Sequence, residues 1–339
     1  MIRSPVLIIG CARSGTTLLY NILSEVPSLW SIGYESKAII ERYHSPAAKG
    51  WKSGALAAED MTAESRAFIS RRFVELSAPG EYWRGVNLLR ARLNRNPLYK
   101  AMKSRGRQAS PAGALGSGVP GAGLAVFRRL AEWRNRLSPP AGAIRLLEKT
   151  PENCLRLPFL AALFPDARVI FLTRDGRANV HSLIEGWRRP HLFPGYRTPI
   201  PVTSEGQTSG RWAFTLIPGW QELVNSPLEV IAAHQWVTSN QAVLEYIHQP
   251  AALPSVTIRY EDLVTAPDLT LARISAFLDI APGNIPTLGN PLPEVNIVSA
   301  PNQEKWRREA ELIRRVMPII EPTMNRLGYP VRDEASTAS

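Results

Sequence analysis

The chain has 339 residues, 40 basic and 29 acidic, and a formal charge of +11. With 45% hydrophobic and 20% charged residues it is ordinary globular material, neither disordered nor fibrous. Two cysteines, Cys11 and Cys154, cannot build a disulfide framework, no Cys/His spacing suits zinc, and no apolar run approaches the roughly 18 residues of a membrane span. The N-terminal apolar run is too short for a signal peptide, so a reducing, cytoplasmic location is expected.

Val6 to Ile9 is apolar and ends at Gly10, as a buried parallel strand does. Ser14 to Ser24 reads as a helix with Leu18, Leu19, Ile22 and Leu23 on one side. A second short strand, Leu29 to Ile32, stops at Gly33-Tyr34-Glu35, and helical patterns continue to Leu76. Residues 82–131 contain no acidic side chain but ten basic ones, among them Arg84, Arg90, Arg128 and Arg129. The alkaline balance therefore belongs to one segment, and nothing in it matches a nucleic-acid-binding motif. Its charge is either a solvated face or an attraction for an anionic acceptor or an anionic membrane surface. Trp83, Val86, Leu89 and Leu93 fall at helical spacing, Pro97 breaks that helix, Ser104 to Gly123 reads as a flexible loop, and a helix follows from Leu124 to Leu137.

Further along, Arg145 to Leu147 is a strand, Asn153 to Phe164 a helix, Arg168 to Thr173 a strand and Ala178 to Trp187 a helix. Residues 188–226 are rich in Pro and Gly without a period, the pattern of a lid or binding loop. Leu228 to His248 is helical, Val256 to Tyr260 a strand, and Leu269 to Leu278 and Glu304 to Leu327 are helices. This alternation predicts an α/β fold with a central parallel sheet flanked by helices. A single domain over residues 1–339, with a basic helical and loop insertion at 82–140 and a loop insertion at 188–226, accounts for the length.

The segment Gly10-Cys-Ala-Arg-Ser-Gly-Thr-Thr17 lies between a strand and a helix, where backbone amides and a helix N-terminus hold an anion without a metal. Against the ATP-binding form G-x-x-x-x-G-K-[ST], Thr16 stands where the phosphate lysine belongs, which disfavours a kinase. A cation is supplied instead by Arg13.

Ala12-Arg-Ser-Gly-Thr-Thr-Leu18 resembles the loop with which sulfotransferases hold the 5′-phosphosulfate of 3′-phosphoadenosine 5′-phosphosulfate. Glu148-Lys-Thr-Pro-Glu-Asn153, then Leu163-Phe-Pro-Asp-Ala-Arg-Val-Ile-Phe-Leu-Thr-Arg-Asp-Gly-Arg177, then Ser182, resemble the same family's second block. There an arginine and a serine hold the 3′-phosphate, and Arg174 and Ser182 fall on those positions. Thr257-Ile-Arg-Tyr-Glu-Asp-Leu263, Lys305-Trp-Arg307 and Leu327-Gly-Tyr329 are similar to further landmarks of the bacterial and tyrosylprotein branches. The resemblance spans residues 4 to 330 apart from the two insertions, and it implies a P-loop-like fold.

Sulfuryl transfer, like phosphoryl transfer, asks a protein mainly to position groups and neutralise charge. Arg13, Ser14, Gly15, Thr16 and Thr17 then meet the 5′-phosphosulfate, Arg174 and Ser182 the 3′-phosphate, and Lys149 the bridging oxygen as the phosphate leaves. Lys305 is a further expected contact of the donor. Glu35, at a strand end beside the loop, is the expected base for an acceptor hydroxyl on a carbohydrate, a lipid-linked group or a small molecule. His181 and His234 are competing bases, and Glu148 and Glu152 weaker ones. The tyrosylprotein branch carries a serine before its Lys-Trp, where this chain has Glu304; Ser299 or Asn302 could substitute. An inactive, nucleotide-binding interaction module is the alternative function, and its weakness is that a mere binder has no use for Lys149.

Overall fold

The computed structural model describes residues 1–95, 121–281, 283–285 and 304–329. Strand β1 (Val6–Ile9) is fully buried and lies at the centre of the sheet, paired in parallel with β4 (Leu146–Lys149) on one side and β5 (Arg168–Thr173) on the other. Beyond β4 comes β2 (Trp30–Ser31), also parallel, and then β3 (Ala78–Pro79), antiparallel to β2; beyond β5 comes β8 (Ser255–Arg259), parallel again. The order β3-β2-β4-β1-β5-β8 places the loops after β1, β4 and β5 at one carboxyl edge, the place where open α/β sheets carry their sites.

Period-two alternation explains why β1 is apolar throughout. Val6 and Ile8 face Leu18, Leu19, Ile22 and Leu23 of α1 (Thr16–Leu23), whereas Leu7 and Ile9 face the opposite layer with Ile39, Phe73 and Phe159. That opposite layer contains α2 (Lys37–His44), α3 (Ala63–Leu76) and α6 (Leu157–Leu163). The basic insertion contributes α4 (Gly80–Arg95) and α5 (Gly121–Leu137), with Tyr82 Oη donating to the Phe127 carbonyl at 2.7 Å. Pro97 and the stretch from Ser104 to Pro120 lie outside the described residues.

Several expectations are corrected. Strand β4 runs to Lys149 instead of stopping at Leu147, because Glu148 and Lys149 find partners in the interior. The helix expected over Asn153 to Phe164 is a 3-10 turn, Pro151–Leu155, followed after Arg156 by α6. After α7 (Gly176–Trp187) the segment read as a periodless loop contains an antiparallel hairpin, β6 (Tyr196–Ser204) and β7 (Gln207–Trp212). Its two turn residues, Glu205 and Gly206, have φ of 51° and 72°, the left-handed pair of a type I′ turn. Helix α8 (Leu228–Ile247) precedes β8; α9 (Tyr260–Thr265) and α10 (Pro267–Leu278) follow it, and α11 (Ala310–Arg326) comes last, after a 3-10 turn over Lys305–Glu309.

Candidate active site

The loop between β1 and α1 is shaped by two glycines. A Cβ on Gly10 would lie 2.5 Å from the Leu172 carbonyl oxygen, and Gly15 has φ 96° with Tyr260 Cδ2 2.3 Å from where its Cβ would be. Arg13 also adopts a left-handed φ of 70°, and the Ser14 amide closes back onto the Cys11 carbonyl at 3.1 Å. Helix α1 begins at Thr16, so its N-terminal end opens onto this loop, with the Leu18 amide closing the first turn on the Gly15 carbonyl at 2.9 Å.

Two guanidinium groups converge there. Arg13 Nε donates to Ser182 Oγ on α7 at 3.2 Å, and Arg174 Nη1 donates to the Arg13 carbonyl at 2.8 Å. Arg13 stacks over Phe193 at 4.8 Å and Arg174 over Tyr260 at 4.8 Å. Burial, and then the charge of Arg174, pull the Arg13 pKa down to about 10. The buried Ser14 Oγ and Arg174 Nε have no hydrogen-bond partner, although buried donors are nearly always satisfied. Adjacent cations with orphaned donors fit an anionic ligand spanning the β1–α1 loop and the start of α7.

Lys149 joins this loop to the neighbouring strand end. Register sets Lys149 beside Ile8, and its buried Nζ donates to Thr17 Oγ1 at 3.2 Å and to Glu35 Oε1 at 2.7 Å. Glu35 sits just ahead of α2, partly exposed, on a segment held from both sides. The Gly33 amide donates to Tyr20 Oη at 3.0 Å, and Arg128 of α5 donates to the Gly33 carbonyl at 3.1 Å while lying 4.2 Å from the Tyr34 ring. Arg13, Ser14, Gly15, Thr16, Thr17, Lys149, Glu35, Arg174 and Ser182 thus gather at one sheet edge. Thr16 itself is buried beneath Gly10.

Lys305 pairs with Glu185 at 3.3 Å, and the Glu185 charge in turn acts on Arg13 of the loop. Glu304 is 68% exposed and pairs with Arg307, so it does not point inward. His181 Nε2 faces Glu309 at 3.2 Å, and burial lowers the pKa of both His181 and His234. Glu148 accepts from Ser36 Oγ at 2.6 Å and Asn153 Nδ2 at 2.8 Å, and burial pushes its pKa up; it braces the Glu35 segment from inside. Glu152 pairs with Lys37 at 3.0 Å; burial works against its charge, but Lys37 and Arg156 hold its pKa down. Burial drives the Cys11 thiol up to about 12, and Cys154 well above its ordinary range, which suits packing. Ser299 and Asn302 lie outside the described residues.

Three residues of the site carry no signal of their own in the sequence reading. Tyr260 fills the space that Gly15 leaves and supports Arg174; the family landmark around it was its only mark. Phe193 under Arg13 comes from the segment without a period. Asn179 Nδ2 donates to the Ala12 carbonyl at 2.9 Å, and an asparagine at the fourth position of a helix looks like any solvent-facing one.

The profile of the Sulfotransferase family matches residues 5–197, more than half of the chain, and the chain belongs to that family. Protein-tyrosine sulfotransferase 1 of Danio rerio is 24% identical over 197 residues, which is 54% of this chain and 48% of the relative. Among solved structures, the sulfotransferase domain from the curacin biosynthetic pathway is 15% identical, covering 98% of this chain and 99% of its own, with a TM-score of 0.45. Sulfotransferase STF9 from Mycobacterium avium is 13% identical over 96% of this chain and 77% of its own, with a TM-score of 0.44. The chain spans less than half the length of the curated relatives it matches.

Proposed function

We propose that the protein transfers a sulfuryl group from 3′-phosphoadenosine 5′-phosphosulfate to an acceptor hydroxyl. The observation that carries this reading is the contact chain Thr17–Lys149–Glu35, which ties an anion-suited loop to a carboxylate on the next strand end. A nucleotide-binding module needs the loop and the arginines, but it gains nothing from a buried lysine linking them to a partly exposed glutamate.

The donor, when bound, supplies an SO3 unit open to in-line attack. Arg13, Ser14 and the first-turn amides of α1 hold the 5′-phosphosulfate, with Gly15, Thr16 and Thr17 shaping the loop. Arg174 and Ser182 read the 3′-phosphate, whose charge relieves the repulsion between Arg174 and Arg13. Lys149 neutralises negative charge developing on the leaving oxygen. Glu35, paired with Lys149 at 2.7 Å, takes the proton of the acceptor hydroxyl. Lys305, tied to Glu185, acts indirectly by holding α7, which carries Ser182. The acceptor approaches from the Glu35 side, where Arg128 of the basic insertion borders the site, and an anionic acceptor fits that border.

Transfer of labelled sulfate tests the assignment. Glu35→Gln should lower turnover on the order of 10²–10⁴-fold with little change in affinity for adenosine 3′,5′-bisphosphate. Near-normal turnover in Glu35→Gln together with its loss in His181→Ala or His234→Ala moves the base to the histidine.

A further inference from the structure

Helix α5 turns its polar face inward. Asn135, buried, donates from Nδ2 to the carbonyls of Ser77 at 2.7 Å, Val74 at 3.0 Å and Glu75 at 3.2 Å, and Arg128 on the same side reaches the Gly33 carbonyl. Ala131 between them is fully buried. The opposite face carries Val126, Leu130, Trp133 and Leu137, which are 55%, 49%, 64% and 67% exposed. At about 100° per residue these four lie within roughly 60° of one another. Water-facing helix surfaces are normally polar, and a continuous apolar stripe of this kind marks an interaction surface. On α4, packed beside it through Tyr82 and Phe127, Leu88 and Leu89 are exposed as well.

Charge identifies the occupant. Arg129 is exposed along one margin of the α5 stripe, beside Arg136, which pairs with Glu132 at 2.8 Å, and Arg84 is exposed on α4. The segment 82–131 as a whole has ten basic residues and no acidic one. A stripe of aliphatic side chains with an exposed Trp, bordered by arginines whose stems reach past it, is the pattern of a helix lying in a lipid headgroup layer. An acidic protein would complement the charge but would not require an apolar stripe free of polar interruption.

We propose that the outer face of α4 and α5 docks on an anionic phospholipid bilayer. The inner face of the same α5 reaches the Gly33 carbonyl through Arg128, so the helix that docks also borders the Gly33–Glu35 segment on its other side. The docking itself stands apart from the catalytic reading, because its readout is binding and not turnover.

Co-sedimentation of the full chain with vesicles tests it. Binding to vesicles containing roughly one-third phosphatidylglycerol in phosphatidylcholine should exceed binding to pure phosphatidylcholine by about tenfold or more, and should weaken as NaCl rises from about 50 mM to about 500 mM. The double variant Leu130→Ser/Trp133→Ser should lower binding about tenfold or more with an unchanged unfolding midpoint. Arg84→Gln/Arg129→Gln should lower it and flatten its salt dependence; both side chains are exposed, and an unchanged unfolding midpoint separates lost binding from misfolding. Equal binding to both vesicles, or undiminished binding by both variants, overturns the proposal. So does self-association of the wild type without vesicles that Leu130→Ser/Trp133→Ser abolishes, since a second copy then covers the face.

Discussion

Gly15 shows how narrowly the loop is specified. Its φ of 96° is a conformation in which a side chain is strained, and the Tyr260 ring occupies the position of the missing Cβ. Gly15→Ala must therefore pay for the backbone and also displace the ring that supports Arg174. We expect a stability loss of about 1–3 kcal/mol in urea unfolding and a fall in bisphosphate affinity of about tenfold or more. Wild-type values for both would show that Tyr260 yields without cost. At this scale the sequence was informative about residue types and less so about partners. The glycines and Arg13 were legible from their place between a strand and a helix. Family resemblance assigned Arg13 and Ser182 to one ligand, but their direct contact across 169 positions appears only in the fold, and the Lys149–Glu35 contact joins two strand ends whose adjacency no local pattern encodes.

At the scale of elements, Arg156 holds three pieces of the fold together. It is fully buried between the 3-10 turn after β4 and α6; Nη2 donates to Glu41 of α2 at 2.6 Å and Nε to the Gly54 carbonyl at 2.9 Å. Tyr196, at the start of β6, donates its hydroxyl to the same Glu41 oxygen at 2.7 Å. Arg156→Ala leaves a nearly buried carboxylate without its cation, and a loss of about 3–5 kcal/mol is expected by denaturant unfolding. Arg156→Lys should recover only part of it, because lysine lacks the fork that spans both acceptors. A loss within experimental error of zero would mean that the network relaxes around the gap. Parallel strands such as β1 and β5 were legible because both faces are buried and Val6 to Ile9 and Val169 to Leu172 are unbroken apolar runs. The β6–β7 hairpin was not, since Pro199 and Pro201 interrupt the alternation of β6 and its register shifts between Arg197 and Val202. Strand β4 looked too short for a related reason: charged residues read as a strand's end unless tertiary partners, here Ser36, Asn153, Thr17 and Glu35, are known.

Across the whole molecule, charge separates into two uses. Outside residues 82–131 the chain is nearly neutral, and the cations of the site, Arg13, Arg174 and Lys149, are held by burial and by specific contacts at one sheet edge. Those three converge from β1, β5 and β4, which is why an α/β alternation read from the sequence already located the edge, while the pairing of the two guanidinium groups needed the fold. The proposed function requires that this edge bind a nucleotide carrying a 3′-phosphate. The most direct measurement is calorimetric titration of wild type and Arg174→Ala with adenosine 3′,5′-bisphosphate and with adenosine 5′-monophosphate. A charge-assisted contact of about 1.5–3 kcal/mol predicts that Arg174→Ala loses roughly 10- to 150-fold in affinity for the bisphosphate and little for the monophosphate. Equal loss for both nucleotides, or no preference for the bisphosphate in the wild type, would contradict it.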